Sequence, residues 1–215
     1  MKKRTLVIFG LVSVISLSCK KESVSPNNDG IEQFLNQTEI QFNGTVLGNG
    51  ISWVFENWNT KIGFNYGSAW GFVADTTIQN RSCQIFDTEE IENICLLKII
   101  SPAFCIDSSY IFKKSIFEIG KKQFNSSTSS IYEGFVIEAS SKIESYSTYF
   151  GNQENSSFEI IKTQELTPSD PEQNNSKKLK LWIVFSCNLY TDSGQKTGEI
   201  KDGKFIGVIE VEPDL

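Results

Sequence analysis

The chain has 215 residues, 39% hydrophobic, 12% aromatic and 21% charged, with a formal net charge of −6; it is too aromatic and too weakly charged to be disordered throughout. It contains no His, which excludes Ser-His-Asp and Cys-His nucleophilic sites and every His-ligated metal site. Its arginines are Arg4 and Arg81, and without clustered Lys and Arg to neutralise phosphates no nucleic-acid partner is expected.

Lys2, Lys3 and Arg4 open the chain and an apolar run follows over 5–17, shorter than the roughly 20 residues that span a bilayer. Ser16-Leu17-Ser18-Cys19 then resembles the lipobox of a bacterial lipoprotein signal peptide. That resemblance implies cleavage before Cys19, acyl chains such as palmitate on its thiol, and anchoring in the cell envelope at the outer membrane. The other reading is an ordinary signal peptide with an incidental Cys. Cleavage would remove three cations and no acid, leaving the mature chain more acidic. The expected organisation is a signal peptide over 1–18, a lipidated Cys and polar tether over 19–38, and one β-sandwich domain over 39–215.

Within the tether, Ile31, Phe34 and Leu35 have helical spacing, enough for one or two turns. Strands are predicted over 40–46 and 51–58 with a Gly48-Asn49-Gly50 turn between them, then over 62–66 and 69–74, split by Gly67-Ser68. An acidic loop covers 87–92, and the apolar run 94–100 is a central strand ended by Pro102. Residues 108–122 fit neither period, so strand and short helix both stay open. Strands are expected over 135–139, 145–150 and 158–165, and a Pro- and Asn-containing loop over 167–178.

The C-terminal part reads most clearly. Leu181, Ile183, Phe185, Cys187 and Leu189 alternate with Lys180, Trp182, Val184, Ser186 and Asn188, so one face of this strand is apolar and the other mixed and half wet. Thr191 to Gly194 turns the chain, 196–200 returns, and Asp202-Gly203 signals a hairpin into 205–211. The fold class is therefore all-β: an antiparallel β-sandwich with a C-terminal three-stranded meander and one or two short helices at most.

Cys19-Lys20-Lys21-Glu22, the segment from Phe42-Asn43-Gly44 to Ser52-Trp53, and the closing strand with Asp202-Gly203-Lys204-Phe205 together resemble uncharacterised Bacteroidota lipoprotein β-sandwich domains. The resemblance implies a fold and a location and carries no mechanism.

Cys83, Cys95, Cys105 and Cys187 lack Cys-x-x-Cys spacing; an exported chain can pair them as disulfides or pack them as small apolar groups. Asp87, Glu89, Glu90 and Glu92 crowd one loop. Calcium takes such oxygens, but the loop lacks EF-hand spacing, and neither a metal nor a cofactor is assigned. Trp53, Trp58, Trp70, Trp182, Tyr146 and Tyr149 can stack on sugar rings or pack in the core. Trp182, on the mixed face of its strand, and Trp58, at a turn, are the candidate ligand-binding residues. The expected function is a lipid-anchored binding or structural module with a glycan or protein partner, not an enzyme. The alternative is a glycan hydrolase using two of Glu56, Asp75, Glu133 and Glu138, which needs two acids roughly 5–9.5 Å apart in a concave site.

Overall fold

The structure, a computed structural model, describes residues 28–57, 61–73, 76–90, 93–105, 107–125, 133–166 and 177–211. In chain order the elements are α1 (Asn28–Leu35), β1 (Ile40–Val46), β2 (Asn49–Phe55), β3 (Ile62–Val73), β4 (Thr76–Asp87), β5 (Leu96–Ile100) and β6 (Phe104–Cys105). They continue with α2 (Tyr110–Ser115), β7 (Gly120–Lys121), β8 (Val136–Ser140), β9 (Ser145–Ser147), β10 (Ser157–Leu166), β11 (Lys177–Tyr190) and β12 (Lys196–Val211). The all-β class holds, with two short helices among the described residues.

The strands pair antiparallel in the order β2-β1-β12-β11-β9-β8-β5-β4-β3, with β10 also on β11, β7 on β10 and β6 on β4. The sheet turns over where Tyr190 of β11 meets Ser147 of β9. This yields a sandwich: β2, β1, β12, β11, β10 and β7 form layer one, and β9, β8, β5, β4, β3 and β6 form layer two. β12 packs on β3 and β4 across the middle. Gly207 is required at that contact: a Cβ there would stand 2.2 Å from the Phe205 ring and 3.2 Å from Cys83 Sγ of the facing layer.

The core follows from strand parity. On β11, Leu179, Leu181, Ile183, Phe185, Cys187 and Leu189 all enter the main core, as the odd-numbered row predicts. Phe185 stacks on Phe42 and on Phe158, each at a ring-centroid distance of 6.1 Å. Phe158 stacks on Phe135 at 4.7 Å, so aromatic contacts run from β1 through β11 and β10 to the start of β8. Such pairs contribute about 0.5–1.5 kcal/mol each beyond area burial. Cys83 and Cys187 are free buried thiols in this core, and Cys95 and Cys105 are free and half-buried. Burial pushes the Cys83 thiol up to about 12 and the Cys187 thiol up as well.

Four expectations are corrected. The three-stranded meander is a two-stranded hairpin, because 196–211 is one continuous strand. Asp202-Gly203 makes a bulge within it, where Lys201 and Asp202 together oppose Ser186. Asp202 sits at φ 52 and its N–H donates to Ser186 Oγ at 3.1 Å. With β1 on one side and β11 on the other, no hairpin can close there. The two short strands split at Gly67-Ser68 are one strand, β3. β4 was not foreseen, since its inward positions include the buried polar residues Gln79 and Arg81, which erase the alternation. Packed structure also begins before residue 39: α1 lies on the outer face of layer one, with Phe34 against Trp182 and Ile206.

In 108–122 both open alternatives occur in turn, a helix at α2 and a two-residue strand at β7. Residues 167–176 of the expected loop lie outside the described residues. No helix among the described residues is long and apolar enough to cross a membrane.

Candidate functional site

The outward face of layer two is polar where its inward face is apolar, a consequence of the same parity. Inward, the strands carry Phe64, Ile85, Leu97, Ala139 and Tyr146. Outward and one position along, Asn65, Gln84, Lys98, Glu138 and Ser147 stand in register as successive cross-strand partners. At the usual inter-strand spacing this row is about 19 Å long.

Three hollows adjoin along it. The central one, about 300 Å³, has Asn80, Ile100, Val136 and Glu138 in its floor and Tyr149 and Asn125 in its walls. Asn80 and Ile100 lead into a second, of about 270 Å³, beside Asn65, Gln84 and Lys98. Glu138, Ser147 and Phe150 lead into a third, of about 230 Å³, that reaches Asp192. The result is one groove running across the strands.

Local structure fixes its walls. Tyr149 N–H donates to Ser147 Oγ at 3.1 Å, and its ring meets Phe150 edge-on at 5.3 Å. Thr148 is locked to Ile137 by bonds in both directions, each 3.0 Å. Asn125 N–H donates to the Phe135 carbonyl at 2.9 Å. Gly134 allows that approach, because a Cβ there would lie 2.4 Å from Asn125 N. In the middle of the floor Lys98 Nζ is 3.2 Å from Glu138 Oε2. The surface therefore offers amides, hydroxyls, one ion pair and an aromatic wall, the usual mixture of orienting polar groups and apolar area in a small-molecule site.

Trp182 is not on any open surface. It is 0% exposed: α1 covers it, its Nε1–H donates to the Gln37 carbonyl at 3.0 Å, and Lys162 Nζ lies 4.2 Å from its ring centroid. Parity is right, since Trp182 faces away from the main core, but the half-wet face expected for it is covered. A covered indole has no ring face to offer a sugar. Trp58 and Cys19 lie outside the described residues, as does the side chain of Trp70. Trp53 and Tyr146 are buried. The Tyr146 hydroxyl bonds Glu144, which with burial raises its pKa to about 12. Among the aromatic residues singled out in the sequence, Tyr149 lines the central hollow of the groove and the largely buried Tyr146 borders the third.

Of the four acids proposed for hydrolysis, Glu138 is in the groove, Glu56 and Glu133 are exposed elsewhere, and Asp75 is outside the described residues. The partner of Glu138 is an ammonium rather than a second carboxyl group. At the edge of the sandwich a further hollow of about 440 Å³ is lined by Trp53, Lys61, Asp87, Glu90 and Asn93. Asp87 there accepts from Glu89 N–H at 3.0 Å and Glu90 N–H at 3.2 Å and pairs with Lys61 at 3.4 Å. Its role is to shape the acidic loop. Among the described residues no three acidic or thiol groups come together to hold a metal ion.

The groove residues Asn65, Asn80, Gln84 and Lys98 were missed in the sequence, where they look like ordinary outward polar positions; register alone brings them together. The chain matches no protein-family model, no curated protein and no solved structure.

Proposed function

We propose that the protein is a lipid-anchored cell-envelope binding module whose groove on layer two holds a glycan. The observation that carries this reading is the row Asn65, Gln84, Lys98, Glu138 and Ser147, with Tyr149 standing beside it. A sugar chain is rich in hydroxyl groups that both donate and accept, and amide and carboxylate side chains match them in either direction. Its apolar ring faces pack on aromatic side chains. The groove is elongated and open, as a polymer requires. The lipobox resemblance and the likeness to Bacteroidota lipoproteins support the envelope location. α1 carries the tether from the outer face of layer one, so a chain anchored at Cys19 would turn the groove away from its anchor.

Affinity gel electrophoresis against a panel of soluble polysaccharides tests the ligand. The wild-type protein should be retarded by at least one of them and Tyr149→Ala should not, with an unchanged melting temperature. Equal retardation of both proteins would remove the groove from the account. Fractionation tests the anchor: Cys19→Ala should leave the membrane fraction, and a variant that remains there fully processed would refute lipidation.

A further inference from the structure

Charge is unevenly placed along the groove. Lys98 lines the second hollow, Glu138 the central and third, and Asp192 the third. These are the charged side chains among the described residues of the three linings. Lys98 Nζ is engaged by Glu138 Oε2 at 3.2 Å, so those two are neutral as a unit. Asp192 is exposed in the turn between β11 and β12, and no described cation forms an ion pair with it. The groove therefore runs from neutral amides, Asn65 and Gln84, at one end to an unneutralised carboxylate at the other.

That arrangement discriminates between sugars. An ionised carboxylate only accepts hydrogen bonds, and a hydroxyl group can donate to it. Such bonds are stronger than those between neutral groups, so a neutral glycan gains from Glu138 and Asp192. A uronate or sulfate group is itself an anion that only accepts. Beside Asp192 it meets a like charge with no hydrogen between them, and like-charge juxtaposition is a common way to reject a wrong partner. Beside Lys98 it must compete with Glu138, and taking the ammonium for itself would leave the Glu138 carboxylate without its partner. The net charge of −6 on the whole chain acts in the same direction at long range.

We infer that the groove selects uncharged glycans over acidic ones, with Asp192 as the residue that repels the acidic class and the Lys98–Glu138 pair as the reason no cation receives it. This rests on the glycan reading of the groove. The test uses sensors carrying dextran, pullulan, galactomannan or xyloglucan, each beside its own carboxymethylated form. At low ionic strength at least one neutral polysaccharide should bind, and its carboxymethylated form should bind about tenfold more weakly or worse. The gap should narrow at high salt, because the charges near Asp192 are exposed and are screened. Asp192→Lys should narrow it too; the position is an exposed turn site, so thermal melts should match wild type. A gap indifferent both to salt and to Asp192→Lys would mean that bulk, not charge, excludes the carboxymethyl groups, and would overturn the inference. Equal or tighter binding of the carboxymethylated form, still abolished by Tyr149→Ala, would overturn the inference and leave the glycan groove standing. Binding to none of the eight surfaces would remove both.

Discussion

Lys98 and Glu138 are cross-strand partners at the middle of the groove, with Nζ 3.2 Å from Oε2 and both side chains partly open to solvent. An ion pair so placed contributes only about 0–1 kcal/mol to stability, while its oxygens and ammonium are available to a ligand. Glu138→Gln should therefore hardly move the melting temperature yet weaken polysaccharide retention about tenfold, as expected for a lost hydrogen bond to a charged group. Reducing-sugar release that is present in wild type and abolished in Glu138→Gln would favour the hydrolytic reading.

Trp182 and α1 make a second test. Eight residues are too few for a helix to persist alone, so α1 depends on Phe34 and on the bond from Trp182 to Gln37. Phe34→Ala should cost about 3 kcal/mol and shift indole emission to the red as α1 lifts away from Trp182. Trp182→Phe should lose stability without losing polysaccharide binding. Loss of binding in that variant, with melting unchanged, would return Trp182 to the ligand site.

Two of these features differ sharply in how readable they were. The apolar row of β11 was plain in the sequence, because both sides of the alternation carry unambiguous residues. The cover over Trp182 was not, because it depends on where a helix from the tether comes to rest. β4 was hidden for another reason: Gln79 and Arg81 occupy inward positions where apolar residues would have marked the strand. At Asp202-Gly203 the local turn signal was genuine, and neighbouring strands on both sides converted it into a bulge. The groove exists only through the register of five strands, and its pairing of Lys98 on β5 with Glu138 on β8 joins residues 40 apart in the chain, which no local pattern encodes.

The buried thiols predict an alkaline limit. An unfolded Cys loses its proton near 9, whereas folded Cys83 keeps it to about 12. The stability this represents is fully present below pH 9 and is lost as pH rises through the folded value. Each such thiol contributes a slope of up to about 1.4 kcal/mol per pH unit in that window. Melting temperatures measured from pH 8 to 11 should fall, and Cys83→Ala with Cys187→Ala should start lower but fall less steeply. Identical slopes in the two proteins would mean that these thiols do not carry the alkaline transition.

The aromatic stack gives the most direct test of the core. Phe185 lies between Phe42 and Phe158, its ring planes 19° and 25° from theirs. All three are nearly or fully buried. Phe185→Ala should cost about 3–5 kcal/mol, a large share of a domain stability of about 5–15 kcal/mol. Phe158→Ala should cost a similar amount, but the two losses should not add. Once either ring is gone its neighbour has lost a stacking partner and borders a cavity, so the second truncation removes less. Denaturant unfolding of the two single variants and the double variant should give a coupling of about 0.5–3 kcal/mol, as found for residues in contact. If the costs are additive within about 0.5 kcal/mol, the two rings pack independently and their stacking does not act as one unit in the core.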